Sequence, residues 1–190
     1  MSDVMTGLLT VEEFMALPDD GRRVELVRGE VRELAPSFAV AATVASNVVK
    51  LLILHTAPRG LGRVYGDGTT FALVPYRHSA RSPDVAFIRA DRLPAGGFPP
   101  RQPVRIPPDL AVEVLSPSET RKILEDKLDD YREAGTPLIW VLDPDARAVE
   151  VRPAGGPAYV LREGDTLTGA PVLPDFRCAV AELVEGIARA

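Results

Sequence analysis

Two spacings of hydrophobic residues run along this chain, and the places where one gives way to the other divide it into elements. Thr10 precedes an apolar position and is followed three residues later by Glu13, the arrangement of a capping box, so a short helix is predicted over about Val11 to Leu17, ending before Pro18. Arg23 to Leu34 alternates on either side of Arg28-Gly29, which predicts a hairpin. After Pro36-Ser37 the period lengthens, and Val40, Val44, Val48, Leu51 and Leu52 fall on one side of a long helix. Three strand-like runs follow. Arg63 to Tyr65 is joined through Gly66-Asp67-Gly68 to Thr70 to Val74; then come Asp84 to Ile88 and Leu110 to Leu115. The last is short and nearly all apolar, as a central strand buried on both faces should be.

Ser116-Pro117-Ser118-Glu119 offers an N-cap, a proline at the first helical position and a glutamate at the capping-box position, while Gly135 and Pro137 mark an end. A helix from Pro117 to Ala134 is predicted between them, followed by a buried strand, Leu138 to Leu142, and a turn at Asp143-Pro144-Asp145. Edge strands near Ala148 to Arg152 and Ala158 to Leu161 and a terminal helix from about Cys178 complete the pattern. Leu93 to Pro108, rich in Pro and Gly, reads as a surface loop and not a linker, and no repeat appears, so residues 1–190 form a single domain. The core order is helix, three strands, helix, strand. A helix between the strands holding Glu113 and Ile139 is the crossover that a parallel pair needs, which gives an α/β fold, or α+β with a mixed sheet.

Composition narrows the class. With 46% hydrophobic and 26% charged residues over 190 positions, the chain can bury a core without disulfides. Cys178 has no internal partner, and with only His55 and His78 beside it the composition argues against a structural zinc site; a reducing cytoplasm fits. Met1 to Gly7 lacks the basic flank of a secretory signal. The apolar stretch Phe38 to Leu54 is interrupted by Thr43, Ser46, Asn47 and Lys50 and falls short of the ~20 residues of a membrane span, so no membrane association is expected. A net charge of -5 argues against non-specific coating of nucleic acid. Between Arg59 and Arg105, however, eight arginines face three aspartates, which permits either a basic cleft or a solvated arginine-rich surface. The glycines of Gly60 to Gly66 have the wrong spacing for a dinucleotide loop.

Three ionisable residues occupy places where the pattern expects apolar ones. Glu113 interrupts Leu110 to Leu115, and a buried carboxylate costs several kcal/mol unless a metal, a cation or water meets it. Lys127 lies within the stripe formed by Ile123, Leu124, Leu128 and Tyr131. Asp84 follows Pro83 at the opening of a strand, and if that strand neighbours the one holding Glu113 the two acids converge. Two carboxylates and a backbone carbonyl make a hard-oxygen site suited to Mg²⁺ or Mn²⁺, and a lysine beside it could orient water or stabilise a pentavalent phosphorane-like transition state. Taken singly, each has a plainer reading: a salt bridge for Glu113, a snorkelling side chain for Lys127, a strand-start hydrogen-bond acceptor for Asp84.

The runs VELVRGEV, SPDVAFI, PPDLAVEVLSPSE and DKLDDYREAGTPLIWVLDP, within about Leu8 to Leu167, resemble the Uma-two family of restriction endonucleases, in the PD-(D/E)xK superfamily. The resemblance implies a restriction-endonuclease-like fold with an αβββαβ core, an added N-terminal hairpin and C-terminal edge strands. It further implies a Mg²⁺- or Mn²⁺-dependent endonuclease acting on DNA, working as a homodimer. Residue by residue, it assigns metal binding to Asp84, Glu113 and the backbone of Val114, the catalytic lysine role to Lys127, and an auxiliary catalytic role to Glu25. Two departures stand out: Leu115 occupies the position two after the glutamate where the superfamily lysine usually sits, and Val40 stands where related chains carry histidine. They motivate the alternative of an inactive nuclease-fold binding or regulatory module. Lys122, beside the inward stripe, competes with Lys127. Ser116 is expected to be an N-cap, Tyr131 and Trp140 core, and Glu25 by its hairpin position solvent-facing.

Overall fold

The Thr10 capping box forms as the sequence predicts: the Glu13 backbone N–H donates to the Thr10 hydroxyl at 3.1 Å, and Glu13 accepts from the Thr10 N–H at 2.7 Å. The helix it starts, α1 (Val11–Met15), ends two residues earlier than expected. The computed structural model describes residues 8–35, 38–73, 78–117 and 120–188. The predicted hairpin is β1 (Val24–Val27) and β2 (Glu30–Glu33), turning on Arg28 and Gly29, both with positive φ. Glycine is needed at the second position, because a Cβ there would lie 2.5 Å from the Leu8 side chain.

Helix α2 (Ala39–Thr56) buries Val44, Val48, Leu52 and Thr56. Val40 is 44% exposed, a correction to the stripe read from sequence, and the expectation about Pro36-Ser37 lies outside the described residues. With its following turn, 39–59, this helix is long and apolar enough to cross a membrane by length and composition, longer than the interrupted run had suggested. One face of it lies on the main sheet, and Asn47 donates to the carbonyls of Leu183 and Glu185.

The remaining strands are β3 (Gly62–Gly66), β4 (Phe71–Ala72), β5 (Ala80–Arg81), β6 (Val85–Arg89) and β7 (Leu110–Val114). Helix α3 (Arg121–Glu133) leads to β8 (Leu138–Asp143), β9 (Ala148–Pro153), β10 (Tyr159–Arg162), β11 (Thr166–Thr168), β12 (Arg177–Ala179) and α4 (Val180–Leu183). Six strands form the main sheet in the order β10-β9-β8-β7-β6-β3, mixed because β7 and β8 run parallel while the other neighbours are antiparallel. A second sheet, β2-β1-β5-β4, incorporates the N-terminal hairpin, and β11 pairs with β12. The predicted crossover is therefore present: α3 connects the parallel pair.

Alternation along β6, β7 and β8 assigns their side chains to two cores. Val85, Phe87, Val112, Trp140 and Leu142 pack with α2 on one face. Ala86, Ile88, Ala111, Ile139 and Val141 pack with Leu124, Leu128 and Tyr131 of α3 on the other. Trp140 and Tyr131 are core, as expected.

Several boundaries differ from expectation. The runs joined through Gly66-Asp67-Gly68 enter different sheets: β3 pairs with β6, while β4 leaves for the second sheet and pairs with β5, and Val74, the expected end of the second run, lies outside the described residues. The backbone groups of Val104 bond to Ala72 and Thr70 there, so part of the Pro- and Gly-rich segment packs against β4 instead of lying free on the surface. Helix α3 begins at Arg121 because Thr120 is its N-cap, accepting from the Ile123 N–H at 3.3 Å. Ser116 and Pro117 precede the helix, and Ser118 and Glu119 lie outside the described residues. Ile123 is 40% exposed, outside the inward stripe, since the buried positions Leu124, Lys127, Leu128 and Tyr131 keep the helical spacing one residue later. β9 is an interior strand, and Cys178 sits in β12 with the short helix starting after it.

Candidate active site

Asp84 directly precedes β6, and Val85 pairs with Val112 of antiparallel β7, so the next pair in register sets Asp84 opposite Glu113 on the α3 side of the sheet. Asp84 Oδ2 accepts the Val114 N–H at 2.7 Å, which fixes its carboxylate against the β7 backbone beside Glu113. Glu113 is 2% exposed. Its Oε2 lies 3.3 Å from Lys127 Nζ, and its Oε1 accepts the Tyr131 hydroxyl at 2.7 Å. Lys127 is buried on the inward face of α3, one turn before Tyr131, whereas Lys122 is exposed. Sheet alternation and helix periodicity thus bring Asp84, Glu113 and Lys127 together, and Val114 contributes its backbone at the same point while its side chain turns to the α2 core.

Glu25 departs from expectation. It is 1% exposed, not solvent-facing, because β1 lies in the second sheet beside β5. Its Oε2 accepts Arg81 Nη1 at 3.0 Å and its Oε1 accepts the Ser82 N–H at 2.8 Å. Arg81 Nε also donates to Asp130 Oδ2 at 2.8 Å, while Nη2 stands 2.6 Å from the same oxygen, off the hydrogen-bond direction, as an ionic contact. Arg28 Nη2 approaches Asp130 from the hairpin tip at 3.9 Å. Arg81 and Asp130 were missed in the sequence. Asp130 carried a usable signal, being three residues after Lys127 on the inward face; Arg81 had none beyond its place before Ser82-Pro83-Asp84.

Among the described residues, four of the arginines in the middle of the chain are engaged in ion pairs. Arg81 is buried in ion pairs, Arg89 and Arg92 pair with Asp109, and Arg105 pairs with Glu12. Arg77 lies outside the described residues. A groove of about 460 Å³ does open next to Ser82, lined also by Thr70, Arg22, Arg23 and the apolar residues Met15 and Leu17.

Charge and burial set the electrostatics. Burial is the main cause that pushes the Glu113 carboxyl up to about 8; Lys127 and the Tyr131 hydrogen bond oppose it, and the negative charges of Asp84 and Glu25 add to it. Burial, then the charge of Glu113, raises the Tyr131 phenol well above its ordinary range. Burial works against the charge of Arg81, but Glu25 and Asp130 more than offset it. Between pH 4.5, the ordinary value, and about 8, the folded chain holds a Glu113 proton that the unfolded chain releases, so this group makes the metal-free chain less stable as pH rises through that interval. Urea midpoints in EDTA at the two ends of the interval are expected to show a steeper fall for the wild type than for Glu113→Gln. Equal slopes would contradict the assignment.

The donor set is two carboxylates of hard oxygen with a strand backbone between them, inside a cluster where Asp84, Glu113, Glu25 and Asp130 outnumber the buried cations Lys127 and Arg81. Among the described residues no three His, Cys, Asp or Glu side chains gather as a ready metal cage. Two protein carboxylates with the remaining positions open to backbone, water and phosphate oxygens are what Mg²⁺ accepts, so the residues fit such an ion.

Comparison with known families decides the relationship. The model of the Uma2 family, described as "Putative restriction endonuclease", matches residues 11–181. The chain belongs to the Uma2 family. The fold is that of the crystal structure titled a "putative nuclease belonging to DUF820" from Anabaena variabilis, with a TM-score of 0.82 at 18% identity over 93% of this chain and 97% of that one. No protein of curated function matches the chain. In this Uma2 member Asp84, at the entrance to β6, lies beside Glu113 of the adjacent β7, and the amine next to Glu113 comes from Lys127 of α3.

Proposed function

We propose that this Uma2 protein is an endonuclease that hydrolyses DNA phosphodiester bonds with Mg²⁺ or Mn²⁺. The observation that carries this reading is the meeting of Asp84, Glu113 and Lys127 at one point of the sheet, with Lys127 Nζ 3.3 Å from Glu113. Asp84, Glu113 and the Val114 carbonyl would hold the ion, which when bound supplies Lewis-acid polarisation of a phosphoryl oxygen.

The protein's own groups have separate tasks. Lys127 presents a buried ammonium that attracts the phosphate, orients an attacking water and stabilises negative charge developing on the phosphorus oxygens. Glu25, held by Arg81 and the Ser82 N–H, keeps lone pairs on both oxygens for ordering a water beside the site. The groove reaches Ser82, two residues before Asp84, with Asp19 and Asp20 beside Arg22 and Arg23 in its lining, and a DNA backbone would approach the site from that side. A homodimer in the cytoplasm belongs to the same reading: α2 leaves Val40, Ile53 and Leu54 exposed, with Phe38 exposed just before it, and two copies would supply one cleaving centre per strand.

Supercoiled plasmid incubated with the purified protein and Mg²⁺ or Mn²⁺ is the direct test. Nicked and linear products that vanish with EDTA support the reading. Absence of cleavage together with absence of Mn²⁺ uptake by calorimetry would replace it with the inactive binding module.

A further inference from the structure

We infer that Tyr131 is the positioning residue of this site: its hydroxyl binds one oxygen of Glu113 so that the other faces Lys127 and the cation. The inference rests on the metal-site reading above and adds a residue to it.

A glutamate side chain has three rotatable torsions, and nothing in a strand fixes the rotation of its terminal carboxylate. Here the two oxygens are distinguished. Oε1 takes the Tyr131 O–H at 2.7 Å, and Oε2 is the one turned to Lys127. Both donors come from α3 and are four residues apart, so they stand one above the other on a single face of the helix. Tyr131 is fully buried, and its ring packs in the core between α3 and the sheet, so the hydroxyl cannot swing to solvent for another partner.

The helix is itself fixed in rotation at this height. Asp130, the adjacent residue, is 2% exposed and bound by Arg81, which in turn holds Glu25 of β1. Consecutive residues of α3 therefore connect to different parts of the cluster, Asp130 to the second sheet and Tyr131 to the central strand. A ligand carboxylate held through its outer oxygen in this way binds metal more tightly, since the ion need not order it; losing such a partner commonly costs 10–100-fold in affinity or activity.

Manganese titration calorimetry on metal-free wild type, Tyr131→Phe and Glu113→Gln tests this, alongside unfolding in EDTA. Tyr131→Phe is expected to fold, to bind Mn²⁺ about tenfold or more weakly, and to regain much of its cleavage at high Mn²⁺. A purely structural tyrosine would lower the unfolding midpoint and leave the Mn²⁺ affinity of the folded protein unchanged, which overturns the inference. If wild type binds Mn²⁺, Glu113→Gln does not and Tyr131→Phe matches wild type, the inference alone fails. If wild type itself takes up no Mn²⁺, the metal-site reading fails. Should Tyr131→Phe not fold, a wild-type crystal soaked in Mn²⁺ decides: the ion on Oε2 with the Tyr131 bond intact on Oε1 supports the role, and an ion on Oε1 with that bond broken overturns it.

Discussion

Glu113→Gln is expected to abolish metal-dependent cleavage, by about 10³-fold or more, without lowering the thermal unfolding midpoint of the metal-free protein. The two halves of this result have one cause. Glu113 stands almost fully buried in a strand core, with Asp84 and Glu25 adding negative charge nearby, and burial lifts its pKa to about 8. A neutral amide of the same shape still accepts from the Tyr131 hydroxyl and removes the carboxylate's desolvation cost, which offsets the lost pairing with Lys127, so folding loses little. Metal binding loses an anionic oxygen donor and with it the charge stabilisation that depends on the ion. A residue kept for packing would show the opposite, a lower midpoint with activity surviving in the folded fraction. Plasmid nicking and a thermal melt on the same preparation separate the cases. Asp84→Asn is the companion: its amide oxygen can keep the bond from the Val114 N–H, so cleavage should fall while the strand pairing persists.

The largest loss of stability is expected from Arg81→Ala, at about 3–5 kcal/mol. Arg81 is 2% exposed and is bonded to two acids, Glu25 at 1% and Asp130 at 2%. Removing it leaves two carboxylates buried against each other and against Glu113, with no solvent to screen them. Against a typical total of about 5–15 kcal/mol, that loss is enough to unfold a large fraction of the molecules at moderate temperature. The effect should come from stranded charge more than from lost packing. Arg81→Met combined with Glu25→Gln and Asp130→Asn therefore ought to recover much of the urea midpoint, although activity at the adjoining site would not return. A loss below about 1 kcal/mol for Arg81→Ala would mean that water reaches the network and screens it as it does a surface pair.

The three residues at the centre of the site were legible because each broke a local pattern. Glu113 interrupts an apolar strand, Lys127 an apolar helix stripe, and Asp84 opens a strand after proline; the periods of two and 3.6 residues then fix the face on which each side chain stands. The same reasoning gave the parallel β7 and β8 pair and its crossover helix. It failed on Glu25, whose hairpin reads as half-exposed until β5 covers it, and on Ile123, where the true N-cap at Thr120 and the burial of Leu124 moved the stripe by one residue. It also left the arginine-rich segment undecided, and the structure pairs four of its eight arginines, Arg81, Arg89, Arg92 and Arg105, with Asp109, Glu12, Glu25 and Asp130.

By itself, then, the sequence determined the long helices and the central strands, and that two acids and an amine sit on inward positions, because these follow from spacing within a few residues. Only the tertiary structure decided that Glu113 divides its oxygens between Lys127 and Tyr131, and that Arg81 joins Glu25 to Asp130 across 56 and 49 residues of chain. Such bonds depend on which strand lies beside which and at what rotation a helix settles on the sheet. Those choices are made by packing and charge between distant segments, and no local period records them.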